Sequence, residues 1–176
     1  MSQILFMRIT LSVLTVFALF VCGARAQATD ISGTISTTMT IYDDSELVGD
    51  VTCMVAGAPC IAFGAPGIKL RLNGFTITGR ANPPDGCTPT AKFPSEDGID
   101  VVGQHDVAIF GPGLVQRFAS VGILLRGATK GKVAGVTASD NCFSGILLIS
   151  TTDSDIEKNI SVRNSIGSQG LPCGGT

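Results

Sequence analysis

Three short segments decide how this chain folds: Gly98-Ile99-Asp100-Val101, Gly122-Ile123-Leu124-Leu125 and Gly145-Ile146-Leu147-Leu148. They start 24 and then 23 residues apart. Carrying those offsets along the chain produces columns of like residues. Ile99, Ile123 and Ile146 form one, Val101, Leu125 and Leu148 a second, and Ile109, Val133 and Ile156 a third; Asn141 falls over Asn164. Within each segment the apolar residues alternate, which is the period of a strand. A column that recurs every two dozen residues is therefore a repeat of strands, not of helical turns. Strands too short to bury a face alone become stable when successive coils stack about 4.8 Å apart, as neighbours in a parallel sheet do. Gly98, Gly122 and Gly145 are expected at the turn before each strand, where tolerance of positive φ would be useful.

Outward from this core the rhythm loosens. Residues 31–41 are rich in β-branched side chains, Asp43-Asp44-Ser45 reads as a turn, and Ile61 and Phe63 make a short strand. Ile68-Lys69-Leu70-Arg71-Leu72 alternates cleanly into Asn73-Gly74, a strong turn signal, and then Phe75-Thr76-Ile77. Residues 81–97 carry Pro83, Pro84, Pro89 and Pro94 with Asp85-Gly86, and are expected to protrude from the stack as a long loop. After the N-terminal segment no amphipathic helix is evident. With 22 glycines, one tyrosine and no tryptophan, the composition suits short strands and tight corners.

Residues 1–26 read as a secretory signal peptide: Arg8, the apolar run 9–22, then Ala24-Arg25-Ala26 as a small-x-small cleavage site, with cleavage after Ala28 as the alternative. A lipoprotein reading of Cys22 is disfavoured by Val21 before it. The β-helix domain is then 27–176, and the protein is expected to be secreted or periplasmic, with no membrane span after cleavage. Losing Arg8 and Arg25 takes the basic count from 12 to 10 against 14 acids, a net charge of −4. A mildly acidic chain without a basic cluster argues against a nucleic-acid partner. The mature cysteines, Cys53, Cys60, Cys87, Cys142 and Cys173, are odd in number. Disulfides suit an oxidising compartment, and Cys53 with Cys60 or Cys60 with Cys87 are the two pairings considered. Without a Cys-x-x-Cys, and with His105 the one histidine, no metal site or cofactor is expected.

The stretch Gly67-Ile68-Lys69-Leu70-Arg71-Leu72-Asn73-Gly74-Phe75-Thr76-Ile77-Thr78-Gly79 resembles the first-coil signature of bacterial exported right-handed parallel β-helix repeat proteins, and the three Gly-Ile coils resemble that family's repeats. The family includes NosD-like periplasmic proteins and is related in fold to pectate lyases. The resemblance covers roughly residue 51 onward and implies an all-β, right-handed, single-stranded parallel β-helix. It departs at Arg71, where an acidic residue is common.

The same offsets nominate residues for chemistry. Asp106, Lys130 and Asp153 share an outward column, with Lys132 and Asp155 beside it. A lyase could use a lysine base with carboxylates holding substrate or calcium, which makes these three the catalytic candidates. Alternating charges between coils also make solvent-exposed ladders worth about 0–1 kcal/mol per pair, which is the simpler account. Asp97, Asp100, Arg117 and Arg126 form a second set that could grip an acidic sugar, because Arg suits bidentate carboxylate recognition. Asp43, Asp44, Glu46 and Asp50 read as turn formers, His105 as a turn residue, and Asn159-Ile160-Ser161 as a glycosylation sequon inside a repeat. These readings favour a non-catalytic carbohydrate- or envelope-associated module. The alternatives are a polysaccharide lyase or hydrolase, and a NosD-like accessory in metal-enzyme maturation. Leu171-Pro172-Cys173-Gly174-Gly175-Thr176 shows no recognisable cap, so end-to-end self-association or further C-terminal coils are expected.

Overall fold

The computed structural model describes residues 28–81 and 96–164. The expected signal peptide, most of the stretch expected to protrude as a loop, with Cys87, and the C-terminal segment lie outside them. In chain order the strands are β1 (Thr29–Ile35), β2 (Met39–Ile41), β3 (Ser45–Cys53), β4 (Ile61–Phe63), β5 (Lys69–Arg71), β6 (Thr76–Thr78), β7 (Ile99–Val102), β8 (Ala108–Phe110), β9 (Leu114–Gln116), β10 (Val121–Arg126), β11 (Lys132–Ala134), β12 (Thr137–Ser139), β13 (Ser144–Ile149), β14 (Asp155–Glu157) and β15 (Ile160–Val162). Every strand pairing is parallel, and no helix occurs among the described residues. One sheet runs β13-β10-β7-β4-β2; the other runs β14-β11-β8-β5-β3-β6-β9-β12-β15, with β1 against β3. The long strand β3 joins two stacks because its first half pairs β5 and its second half pairs β6. The result is an all-β structure of parallel strands in curled sheets, consistent with a β-solenoid.

The repeat offsets are the pairing register. Ile99, Ile123 and Ile146 are successive Cα partners, as are Val101, Leu125 and Leu148, and Ile109, Val133 and Ile156. Ile99, Val101, Ile109, Ile123, Leu125 and Val133 are at most 1% exposed, so the alternating residues form the core. Between β4 and β7 the offset is 38, and between β5 and β8 it is 39. An ordinary coil plus about fifteen extra residues accounts for this, which places the insertion in the proline-rich stretch.

Two turn devices differ from the expectation. Gly122 and Gly145 lie inside β10 and β13, and neither has positive φ. What excludes a side chain there is the neighbouring coil: a Cβ on Gly98 would meet the Gly122 carbonyl at 2.5 Å, and one on Gly122 the Gly145 carbonyl at 2.6 Å and Asn141 Nδ2 at 2.7 Å. The corners that need positive φ are held largely by polar residues. Asp106, Lys130 and Asp153 lie at φ 56°, 53° and 52°, and Arg117, Asp140 and Arg163 at 61°, 54° and 52°.

Asparagines join coil to coil. Asn141, fully buried, accepts from Phe118 N at 3.1 Å and donates to Val115 O at 3.3 Å and to Asn164 Oδ1 at 3.0 Å. Asn164 repeats the pattern one coil later, accepting from Asn141 N and donating to Ala138 O. Asn159 does the same at another corner, with Val136 N and Val133 O. Each side chain satisfies one amide and one carbonyl that the turn would otherwise bury unpaired. The amide of Asn159 is thereby committed to the fold, which leaves the sequon's acceptor nitrogen engaged. Cys53 and Cys60 form a disulfide with Cα atoms 5.9 Å apart, and Cys142 is disulfide-bonded as well.

Candidate binding faces

The three stacks turn three outer faces to the surroundings, each with its own chemistry. On the second stack, formed by β5, β8, β11 and β14, the outward columns run Lys69, Ala108, Lys132, Asp155 and Arg71, Phe110, Ala134, Glu157, charged at both ends with apolar residues between. Lys132 Nζ lies 2.6 Å from both Asp155 Oδ2 and Glu157 Oε1, and these two hydrogen bonds raise its pKa. The structure thus pairs Lys132 with Asp155 as the offsets imply. The catalytic candidates Asp106, Lys130 and Asp153 occupy equivalent corner positions at its edge. Asp106 Oδ2 accepts from His105 Nδ1 at 2.8 Å, and Lys130 Nζ stands 3.9 Å from its other oxygen. The His105 hydrogen bond, and then Lys130, hold the Asp106 carboxyl below its ordinary range. Their shared positive φ gives a backbone reason for the alignment. Toward β5, Arg71 lies over the Phe110 ring, 5.6 Å from its centroid.

The second set of candidates separates. Asp97, Asp100 and Arg126 gather near the outer face of the β7–β10 sheet, whereas Arg117 sits in the corner column of Asp140 and Arg163. Asp97 is 1% exposed and accepts from Val121 N at 2.9 Å. Asp100 is half-buried, and its Oδ1 has no hydrogen-bond partner among the described residues. Burial, and then the charge of Asp97, push the Asp100 pKa up to about 6, with Arg126 opposing. Nearby, Arg80 Nη2 and Glu96 Oε1 are 2.6 Å apart, and Gly57 N donates to the same oxygen at 2.9 Å. Arg80 above all, helped by Gly57, holds Glu96 low against the effect of burial. In the third corner column Arg163 donates twice to Asp140 at 2.7 Å, which lowers the Asp140 pKa.

The upstream acidic patch is used up by the next coil. Asp44 Oδ1 accepts from Lys69 N at 2.9 Å, Asp50 Oδ1 from Thr76 N at 2.8 Å and Glu46 Oε2 from Asn73 Nδ2 at 3.1 Å. Among the described residues no three or more His, Cys, Asp or Glu side chains are grouped to hold a metal ion.

The third face, over β6, β9 and β12, was not singled out by the sequence. One column runs Thr34, Thr52, Thr78, Gln116, the buried Ser139 and Val162; the other runs Thr76, Leu114, Thr137 and Ile160, so the face turns apolar and exposed at β15. Gln116 Nε2 donates to Thr78 Oγ1 at 3.2 Å across the coils. Extending the repeat across the interruption, with an offset of 38 residues, would have aligned Thr78 with Gln116 and exposed this polar column. Comparison with protein-family models, with curated proteins and with solved structures finds no match.

Proposed function

We propose that this chain is an exported right-handed parallel β-helix that serves as a non-catalytic carbohydrate- or envelope-associated binding module. The observation that carries the reading is that charged groups of the outer columns are spent on one another across coils: Lys132 on Asp155 and Glu157, Arg163 on Asp140, Arg80 on Glu96. Charges neutralised in pairs leave ladders suited to presenting a rigid surface, because each rung is fixed by the coil beneath it. Right-handedness is supported by the strong preference for right-handed connections between parallel strands of one sheet, such as β7 to β10. Export is supported by the N-terminal pattern together with the Cys53–Cys60 disulfide, which is compatible with an extracellular or periplasmic compartment.

The test is to secrete the full chain, sequence its new N-terminus, and incubate it with a panel of neutral and acidic polysaccharides. Retention on a glycan without new reducing or unsaturated ends is the expected result. New ends would replace this reading with a glycan-cleaving enzyme. One observation favours that second reading: a carboxyl with a pKa near 6 beside a second carboxylate is suited to proton donation. Asp100→Asn would then abolish cleavage.

A further inference from the structure

The outer face of the third stack carries a chemistry that neither of the others has. Thr52, Thr78 and Gln116 succeed one another in one column, and Thr76, Leu114 and Thr137 in the column beside it. From β6 through β12 these outward positions carry no ionised side chain. The nearest carboxylate at the base of the face, Asp50, accepts from the backbone of Thr76. At the adjoining corner Asp140 and Arg163 form a bidentate pair. Hydroxyls and an amide interleaved with the apolar Leu114 match the amphipathic face of a pyranose, whose C–H groups and hydroxyls alternate in the same way. β-Branched threonines hold few rotamers, so little side-chain entropy is lost when a ligand fixes them. Coils about 4.8 Å apart also place one polar rung under roughly each sugar of an extended glycan laid along the stack.

From this we infer that the face of β6, β9 and β12 binds an uncharged polysaccharide, with Thr52, Thr76, Thr78, Gln116 and Thr137 supplying the hydrogen bonds. The inference rests on the carbohydrate-binding reading and names its substrate class. The rungs themselves offer a ligand with carboxylate or sulfate groups no counter-charge, and the arginines at the adjoining corner, Arg117 and Arg163, stand with Asp140; such a ligand would be held instead beside Lys69 and Arg71 on the second face.

The experiment uses the full secreted chain in pull-down and affinity electrophoresis with cellulose, chitin, β-1,3-glucan and polygalacturonate, at low and at high salt. Retention on a neutral glycan, indifferent to salt, is expected, since ion pairing contributes nothing to it. The double variant Thr52→Lys with Thr78→Lys should weaken that retention about tenfold or more, and Lys132→Ala should leave it unchanged. If the lysine variant loses its β-type circular dichroism, Gln116→Ala and Thr137→Ala take its place with the same expected loss. Retention on polygalacturonate alone, reversed by salt, would overturn the inference while sparing carbohydrate binding. Neutral-glycan retention that survives all the face variants would also overturn it. Retention on no glycan would end both readings.

Discussion

Ile123→Ala, set against the same substitution at Ile146, tests whether side chains two dozen residues apart share a core. Ile123 has no exposed surface and is flanked along its column by Ile99 and Ile146. The substitution deletes three carbons, about 2.4 kcal/mol at about 0.8 kcal/mol per buried group. The parallel pairing of β10 on both sides holds the backbone at its spacing, so the void collapses little and the cavity adds to the cost. The expected loss is about 3–4 kcal/mol, within the usual range for Ile→Ala. Ile146 is only partly buried and has a described neighbour on one side of its column, so its loss should be about half. For the same reason, a charge at Ile146 should cost less than one at Ile123. In urea, with a slope of about 2 kcal/mol per molar, Ile123→Ala should lower the midpoint by about 1.5–2 M with the slope unchanged. Equal losses at the two positions, or a loss under about 1 kcal/mol at Ile123, would refute the stacked core.

Asn141→Ala strands a buried amide of Phe118 and a carbonyl of Val115, so thermal unfolding should show a loss of about 2–4 kcal/mol, more than Asn164→Ala produces. Gly122→Ala should destabilise by about 1–3 kcal/mol or more, because its methyl meets the backbone carbonyl of Gly145 at 2.6 Å; Gly103→Ala, with open space around it, should cost only the positive-φ strain of about 1–2 kcal/mol. Asp100 makes stability pH-dependent. Its folded carboxyl keeps the proton to about 6, against 3.8 ordinarily, so its contribution is complete below about 3.8 and is lost as pH rises through about 6. Asp100→Asn should therefore raise the urea midpoint at pH values above this window and flatten its decline within it, as measured by unfolding across a pH series.

The fold was legible where the repeat is regular, and the reason is mechanical. In a parallel stack the register of the pairing is the period of the sequence, so the identity of Ile99, Ile123 and Ile146 as neighbours needs no knowledge of intermediate structure. Legibility failed at the glycines for an equally specific cause. Sequence suggests Gly for conformational freedom, yet the Gly98 column is set by the approach of the next coil's carbonyl, a contact with a residue about 24 positions away. The αL corners were hidden because Asp, Lys and Arg fill them, residues that composition assigns to a solvated face.

The sites divide along the same line. Lys132 with Asp155 was readable because both follow the period, whereas Arg117 parted from Asp100 because nearness in sequence does not place two residues on one face of a coil. A coil has three outer faces and the repeat reports only the order of rungs within each. Charge draws attention to the second face, yet Lys132, Asp155 and Glu157 of its ladder are already spent on one another. On the uncharged third face Gln116 is joined to Thr78, while Thr52, Thr76 and Thr137 present hydroxyls at the regular spacing of the coils, which makes it the better place to look for a ligand. In a protein of this build, the informative outward columns are those whose members are not all spent on one another.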